Sequence, residues 1–122
     1  MTEVRFIMAD SKQFLSRLVG EGEKNIEGLF SLAKKSSEYP TVLFFDDLHV
    51  ICDKSNKGLI STLSAEIDNL KPNHRVLVVC ATSQPKKIDE TLRRSGRLDK
   101  EIAFEIPKTG HRYLERKSNK KG

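Results

Sequence analysis

The segment TVLFFDD, residues 41–47, is the feature that most restricts how this chain can fold. Its run of β-branched and aromatic residues is typical of a strand buried on both faces in a parallel sheet. Two adjacent carboxylates, Asp46 and Asp47, end the run abruptly. Ligands of open α/β sheets bind at the carboxyl ends of the strands, so these side chains are candidates for a binding site. A strand that stops in an ordinary polar turn explains the same residues equally well.

The rest of the chain alternates between apolar runs and helical periodicity. The segment IEGLFSLAKKS, residues 26–36, repeats its apolar residues with the i, i+3, i+4, i+7 spacing of an amphipathic helix. Such alternation predicts βαβ units, and hence an α/β fold in which helices cover a mainly parallel sheet. The predicted strands are 4–9, 41–46, 75–82 and 100–107, and the predicted helices are 26–36, 57–70 and 86–94.

Length and composition indicate a soluble, single-domain protein. The 122 residues are 37% hydrophobic and 32% charged. We expect no membrane span, because no apolar run is long enough and the N-terminus lacks a signal-peptide pattern. Cys52 and Cys80 both adjoin apolar runs, so we expect reduced thiols and a cytoplasmic or nuclear location. His49, His74 and His111 share no metal-ligand spacing.

The net charge of +5 is concentrated at one end of the chain. Residues 111–122, HRYLERKSNKKG, contain five Lys or Arg and one Glu. A short solvated tail of this kind contacts phosphate without sequence preference and does not make a nucleic-acid-binding fold. We therefore expect a core domain over residues 1–110, a flexible basic tail over residues 111–122, and no specific nucleic-acid partner.

Four segments carry a family resemblance by their order and spacing: FLSRLVGEGEKNIEGLF, TVLFFDDLHVI, VLVVCATSQPKKID and TLRRSGRLDKEIAFEIP. Together they resemble the AAA-family ATPases, a branch of the AAA+ P-loop NTPases, and in style the valosin-containing-protein type. The resemblance covers roughly residues 4–107. It implies the α/β fold of the AAA+ core, in which helices sandwich a parallel sheet, and it implies ATP and Mg²⁺ as cofactors of the complete protein.

LFFDD resembles the Walker B element, in which an apolar strand ends in Asp and then normally Glu. Asp46 matches the residue that organises Mg²⁺, whose charge helps to stabilise the transferring phosphoryl group. Asp47 matches the residue that polarises the attacking water, but Asp is shorter than Glu by one methylene, about 1.5 Å. A misplacement of about 1 Å can lower a rate roughly a hundredfold. The resemblance therefore leaves both slow hydrolysis and binding without hydrolysis open.

CATSQP resembles the sensor-1 segment, which usually reads ATNRP. The Asn of that segment hydrogen-bonds the γ-phosphate or the lytic water. Ser83 occupies the position here and can donate one hydrogen bond, with a shorter reach. A serine in an ordinary turn after a strand fits the same residues equally well.

LRRSGRLDKEI resembles LRRPGRFDREI, the segment whose arginines reach the nucleotide of the neighbouring subunit. By position, Arg94 and Arg97 correspond to arginine fingers, because a planar, permanently charged guanidinium neutralises developing phosphate charge. Asp99 is the expected local partner of a nearby guanidinium. The alternative is a charged surface turn with Arg–Asp pairs.

SRLVGEGEKN resembles the loop that lines the central pore of the family's hexamers and grips translocating polypeptide, usually through an aromatic residue. Leu18 and Val19 occupy the tip of this loop, and Gly20 permits its tight backbone. The resemblance implies contact with a protein substrate. The alternative is an exposed loop with two stray aliphatic residues.

The phosphate-binding motif GxxxxGK(S/T) does not occur in the sequence. In the family this motif precedes the strand that corresponds to residues 4–9, so we expect an incomplete core that lacks the first strand, the P-loop and the C-terminal lid. The first strand would pair with the strand at 76–81, whose apolar edge is left open. We therefore expect residues 100–106, or another chain, to pair with that edge.

The parent activity that the resemblance implies is Mg-ATP hydrolysis in a ring of AAA subunits, homo- or hetero-oligomeric, coupled to unfolding or remodelling of protein substrates. This chain alone is expected to bind ATP weakly or not at all. The alternative function is a non-catalytic AAA-like assembly module that supplies arginine fingers to a partner subunit. The departures at Asp47 and Ser83 favour the alternative, whereas the finger segment suits both.

Overall fold

Two long helices and a three-stranded parallel sheet form the part of the chain that the computed structural model describes, residues 3–35 and 38–104. The sheet order is β1-β2-β3 and both pairings are parallel, which confirms the α/β class. Among the described residues, no helix has the length and apolar content needed to cross a membrane. The strands are β1 (Arg5–Asp10), β2 (Thr41–Asp46) and β3 (Val76–Cys80), and the helices are α1 (Glu21–Lys35), α2 (Lys57–Asp68) and α3 (Glu90–Arg93).

Charges at its ends help to define α1, which begins at Glu21 rather than at the predicted Ile26. Glutamates occupy its first turn and lysines its last turn, which is the arrangement that the helix dipole favours. The Arg5 guanidinium of β1 also donates to the carbonyls of Leu32 and Ala33, at 2.8 and 3.0 Å. These bonds satisfy carbonyls of the last helical turn and tie it to the start of the sheet.

The hydrophobic core lies between one face of the sheet and α1. Leu43 and Phe45 of β2 are fully buried, and the Phe45 ring stacks on Phe30 of α1 with their centroids 6.0 Å apart. Buried residues of α2, which packs against α1, belong to the same core. Each large apolar side chain buried in this way contributes about 1.5–3 kcal/mol. The core fixes β2 as the central strand. The carboxyl end of β2 therefore lies between the carboxyl ends of β1 and β3, which together form one edge of the sheet.

The opposite face of the sheet is exposed in the described part of the chain. Phe6, Met8 and Leu77 are 55%, 64% and 60% exposed, and we call these residues the outer sheet face. The pairings Phe6↔Val42 and Val42↔Leu77 show that the three strands contribute to this one face. The helices that bury the core of the described residues therefore lie on the other face.

The segment 86–94, predicted as one helix, forms two shorter elements. A 3₁₀ turn covers Pro85–Lys87, and α3 follows as a single helical turn. Asp89 separates them, because its side chain accepts a hydrogen bond from the Thr91 N–H at 2.8 Å and so begins a new helix. The helical periodicity of the segment did not reveal this internal cap.

The strand predicted at 100–107 is wrong over residues 100–104, which form no strand. Residues 105–107 and the predicted tail 111–122 lie outside the described residues. Within the described part, β3 pairs only with β2, so residues 100–104 do not close its open edge. An edge strand has fewer neighbours, and β3 is accordingly half-buried rather than fully buried as predicted.

Candidate functional site

The carboxyl ends of β1 and β2 bring two carboxylates to one edge of the sheet. Asp10 and Asp46 are register partners at the last position of each strand, and both are exposed. The Asp10 side chain accepts a hydrogen bond from the Lys12 N–H at 3.0 Å and caps the turn that follows. Asp46 Oδ1 accepts one from the Asp47 N–H at 2.9 Å. In the described part of the chain Asp46 forms no ion pair, so its second oxygen is available to a ligand.

Asp46 fits a Mg²⁺ ion that is held mainly by water and phosphate. Such an ion takes one or two carboxylates from the protein and completes its shell with waters and substrate phosphates. Residues 3–35 and 38–104 contain no group of three or more His, Cys, Asp or Glu able to hold a metal by itself. A single exposed carboxylate suits the first kind of site, and the role of Asp46 as a magnesium ligand stays a prediction.

Asp47 has a left-handed backbone, with φ of 54° and ψ of 45°. Aspartate tolerates this conformation better than most residues other than glycine. Lys12 Nζ lies 3.9 Å from Asp47 Oδ2, but these side chains are 64% and 36% exposed, so the ion pair contributes little. The strained backbone thus coincides with the residue predicted to polarise water, and its carboxylate is only weakly restrained.

The loop after β3 lies beside the turn after β2. The Ala81 N–H donates to the Phe45 carbonyl at 2.8 Å, and the Leu48 N–H donates to the Ala81 carbonyl at 3.0 Å. These bonds continue the pairing of the sheet beyond the end of β3. Ser83 follows in this loop and is exposed. The structure therefore brings the predicted Asp46 and Ser83 segments to the same edge of the sheet.

A side-chain hydrogen bond that the sequence did not predict joins the same two loops. His49 Nδ1 and Thr82 Oγ1 are 2.7 Å apart, and Thr82 Oγ1 also accepts the Gln84 N–H at 3.0 Å. The Thr82 hydroxyl has one donor and two acceptor sites, so both bonds form together with either tautomer of His49. His49 and Thr82 are 33 positions apart, so no local pattern linked them. Only the neighbouring positions of the two strands could have suggested the pair.

Residues 92–99 form a tight turn that presents Arg94 to solvent. The Arg97 N–H donates to the Arg94 carbonyl at 3.0 Å, and Gly96 has a φ of 86°. Asp99 Oδ2 accepts a hydrogen bond from the Gly96 N–H at 2.9 Å. Among the described residues Asp99 pairs with no guanidinium, so that prediction is wrong: its carboxylate closes the turn instead.

The Arg97 guanidinium is bonded to Asp68, the last residue of α2. Arg97 Nε donates to Asp68 Oδ1 at 2.9 Å, and Arg97 Nη2 donates to Asp68 Oδ2 at 2.6 Å. The hydrogen bonding and charge of Arg97 hold the pKa of Asp68 below its usual value. This pair, 29 positions apart, was also not predicted from the sequence.

The predicted pore loop exposes its apolar tip to solvent. Leu18 is 67% exposed and Val19 is completely exposed. Gly20, with a φ of 81°, supplies the predicted tight backbone. An open cleft of about 420 Å³ separates this loop from the start of α2. The contact of Leu18 and Val19 with a protein substrate stays a prediction.

Both cysteines are free and partly buried, as predicted. Burial raises the pKa of the Cys80 thiol to about 12, and the neighbouring Cys52 adds to the shift. Burial likewise raises the pKa of Cys52. Because the thiolate is the reactive form, both side chains are poor nucleophiles at neutral pH and lie outside the candidate chemistry.

The sheet, its edge carboxylates and the adjoining polar loop define a class: α/β proteins that bind ligands at the carboxyl ends of parallel strands. Residues 1–106 match the family described as "ATPase family associated with various cellular activities (AAA)". The chain belongs to this family. The resemblance seen in the sequence is therefore confirmed at the level of the AAA family.

Several curated ATPases are similar to the chain. It is 35% identical over 108 residues to a cell division cycle ATPase of Plasmodium falciparum, covering 83% of this chain and 9% of that protein. It is 33% identical over 115 residues to the ribosome biogenesis ATPase RIX7 of Saccharomyces cerevisiae, covering 88% and 14%. It is 32% identical over 118 residues to the ATPase histone chaperone YTA7 of the same yeast, covering 91% and 8%. The chain thus spans 8–14% of the length of these relatives.

Proposed function

We propose that this chain is the Walker B, sensor-1 and arginine-finger portion of an AAA ATPase of the valosin-containing-protein type. The parent protein binds and hydrolyses Mg-ATP in a ring of identical or different AAA subunits and remodels or unfolds protein partners. One observation supports the proposal above all: Asp46 and the loop that carries Ser83 lie at the same carboxyl edge of the sheet.

Each side chain of this edge has a distinct task in the proposal. Asp46 supplies the single protein carboxylate of the magnesium site, the ion that neutralises charge on the phosphates. Asp47 orients the attacking water, with a reach shorter than that of glutamate. Ser83 donates a hydrogen bond to the terminal phosphate or to that water. Away from this edge, the turn after α3 carries Arg94 and Arg97, the two candidates by resemblance for an arginine finger that serves the nucleotide of the neighbouring subunit.

The loop of Leu18 and Val19 is the proposed contact with protein substrates. Two exposed aliphatic side chains at a loop tip offer apolar contact area without sequence-specific hydrogen bonds. This chemistry suits a moving polypeptide of varied sequence better than it suits a single fixed partner.

A second candidate is a non-catalytic subunit that supplies an arginine to the active site of a neighbour. The observation that favours it is the exposure of Arg94, whose guanidinium has no hydrogen bond or ion pair among the described residues. The short side chain of Asp47 also favours this second candidate, because a subunit that only supplies an arginine finger does not require its own water-polarising residue.

The first candidate is tested by phosphate release from Mg-ATP, using the natural gene product that contains this sequence. Asp46→Asn preserves the shape of the side chain and removes its charge, so we expect turnover to fall by about a hundredfold or more. Asp10→Asn is the matched control, since Asp10 is the register partner of Asp46 at the same edge. Equal turnover in these two variants would show that Asp46 has no special part in catalysis.

The second candidate is tested by mixing the protein with an AAA subunit that has a complete Walker A motif and lacks its own finger arginines. Stimulated phosphate release that disappears with Arg94→Ala, and persists with Lys100→Ala, would support a finger donor. Lys100 is a suitable control because it is an exposed cation close to the same turn. Turnover by the protein alone, abolished by Asp46→Asn, would instead support the first candidate.

A further inference from the structure

We propose that Arg97 is a positioning residue clamped within its own chain, and that Arg94 alone reaches the nucleotide of the neighbouring subunit. The inference rests on the proposed function, because it concerns which arginine acts between subunits. It departs from the expectation drawn from the family resemblance, in which both arginines act on the neighbour.

The clamp uses every nitrogen atom of the Arg97 guanidinium. Nε and Nη2 donate to the two carboxylate oxygens of Asp68 at 2.9 and 2.6 Å, a two-pronged arrangement that is among the strongest side-chain pairings. Nη1 donates to the Thr91 carbonyl at 2.6 Å. The Arg97 side chain is only 16% exposed. To reach a second subunit, Arg97 would have to break all three bonds.

The partners of Arg97 belong to different elements of the fold. Asp68 ends α2, Thr91 lies in α3, and these two helices are in contact. Arg97 itself lies in the turn that follows α3. The clamp therefore fixes the end of this turn that carries Arg97 against α2 and α3. Such a contact restricts where the other side chains of the turn can point.

The other two arginines of the segment, Arg93 and Arg94, differ from each other: the guanidinium of one is bonded within its own chain and, among the described residues, that of the other is not. Arg93 donates to the Pro85 carbonyl at 2.8 Å and to Glu101 Oε2 at 2.7 Å, so it also holds its own chain together. Arg94 lies between these two fixed neighbours in the turn. It is exposed, and its guanidinium has no bonded partner among the described residues. Of these three arginines, all in the described part of the chain, only Arg94 presents an unbonded guanidinium to solvent, where it can bind phosphate.

A charge exchange tests this division in the phosphate-release assays described above. A single exchange, Asp68→Arg or Arg97→Asp, breaks the clamp, whereas the double exchange restores an oppositely charged pair. We expect Arg94→Ala to lower finger-dependent turnover about a thousandfold, and Asp68→Ala to lower it about tenfold. We expect the double variant to be about ten times more active than Arg97→Asp alone. A double variant no better than Arg97→Asp, with Asp68→Ala fully active, would overturn the proposal.

A second measurement depends on neither ATP nor a partner. In ¹H–¹⁵N spectra of the 122-residue chain, the clamped Nε–H of Arg97 should exchange slowly with water, and that of Arg94 rapidly. Asp68→Ala should remove the slow signal, while Asp99→Ala, which changes a nearby carboxylate that binds only backbone, should keep it. A slow signal that survives Asp68→Ala, or no slow signal at all, refutes the clamp. A clamp signal in a protein without turnover or stimulation supports the clamp and refutes the proposed function.

Discussion

Asp47 combines an unusual backbone with an unusual side chain for its position. Its left-handed conformation disfavours a longer residue by roughly 1–2 kcal/mol, whereas the proposed polarisation of water would favour a residue with a longer reach. Stability and catalysis therefore favour different residues at this position. An aspartate retained here suits a subunit that hydrolyses ATP slowly or not at all.

We predict that Asp47→Glu raises the turnover of the natural gene product about ten- to hundredfold and lowers its free energy of unfolding by about 1 kcal/mol. Steady-state phosphate release and urea denaturation measure the two effects. Asp47→Asn is the control, because asparagine keeps the left-handed backbone and removes the charge, and we expect it to lower turnover. Unchanged turnover in Asp47→Glu, with magnesium nucleotide still bound, would contradict a role for this residue with water.

Because of the buried Cys80 thiol, we expect the free energy of unfolding to fall as the pH becomes alkaline. Its pKa in the folded chain, about 12, lies above that of an exposed thiol, so folding favours the protonated form. This contribution to stability is complete below the exposed-thiol pKa of about 8.5 and declines as the pH rises towards 12. We predict that the free energy of unfolding falls more between pH 8 and pH 10.5 in the wild type than in Cys80→Ala. Parallel urea titrations at the two pH values would reveal it, and equal declines would contradict it.

Single residues were predictable where a motif marks them and unpredictable where only tertiary structure joins them. The segments of Asp46 and Ser83 could be placed at one end of the sheet because each follows an apolar strand at a recognisable spacing, whereas the roles of the two side chains stay predictions. Asp68 and His49 were not predicted, because their partners lie 29 and 33 positions away and both residues resemble ordinary surface groups. Asp99 was expected to pair with one of the nearby guanidiniums, but Arg97 bonds to the more distant Asp68 instead. Proximity in sequence was a poor guide to ion pairing.

At the scale of elements, the first turn of α1 depends on close packing at one glycine. A Cβ on Gly22 would collide with the carbonyl oxygen of Phe14 and would lie 2.7 Å from Leu59 Cδ2. This approach brings the base of the proposed pore loop against α2. The glycine is therefore required by its neighbours, since its own backbone is an ordinary helical one.

We predict that Gly22→Ala lowers the free energy of unfolding by about 1–3 kcal/mol, because the added methyl overpacks this contact. Gly28→Ala is the matched control: Gly28 lies in the same helix, and a Cβ there has no atom within 4 Å. Alanine at Gly28 should stabilise the chain by about 0.5–1 kcal/mol. Urea denaturation of the two variants checks both signs. A Gly22→Ala variant as stable as the wild type would show that α1 and α2 can shift apart freely.

Elements were predicted well where local pattern and burial agree. The strands from residues 5 and 41 were recognised because buried parallel strands are continuous apolar runs. The strand expected at 100–107 has a similar pattern, but a strand also needs a neighbour to pair with. Residues 100–104 find none in the described part of the chain. Strand pairing joins segments that are distant in sequence, so the alternation of apolar and polar residues within one segment cannot predict it.

At the scale of the whole molecule, the described structure has one well-packed face and one exposed face. The outer sheet face presents Phe6, Met8 and Leu77 to solvent, and β3 has an open edge beside it. Monomeric proteins rarely leave large contiguous apolar patches exposed, and an open strand edge is a template for pairing with another chain. Both features favour association of the isolated chain with copies of itself.

We predict that the isolated chain self-associates with rising concentration, and that Met8→Lys shifts it towards the monomer. The added charge interrupts the outer sheet face without entering the core, so the free energy of unfolding should change by less than about 0.5 kcal/mol. Val19→Lys is the control, because Val19 is also apolar and completely exposed but lies on the proposed pore loop and not in a strand of the sheet. Sedimentation velocity over a concentration series distinguishes the variants. Should Val19→Lys suppress association as strongly as Met8→Lys, net charge would be responsible and the outer sheet face would not be the contact.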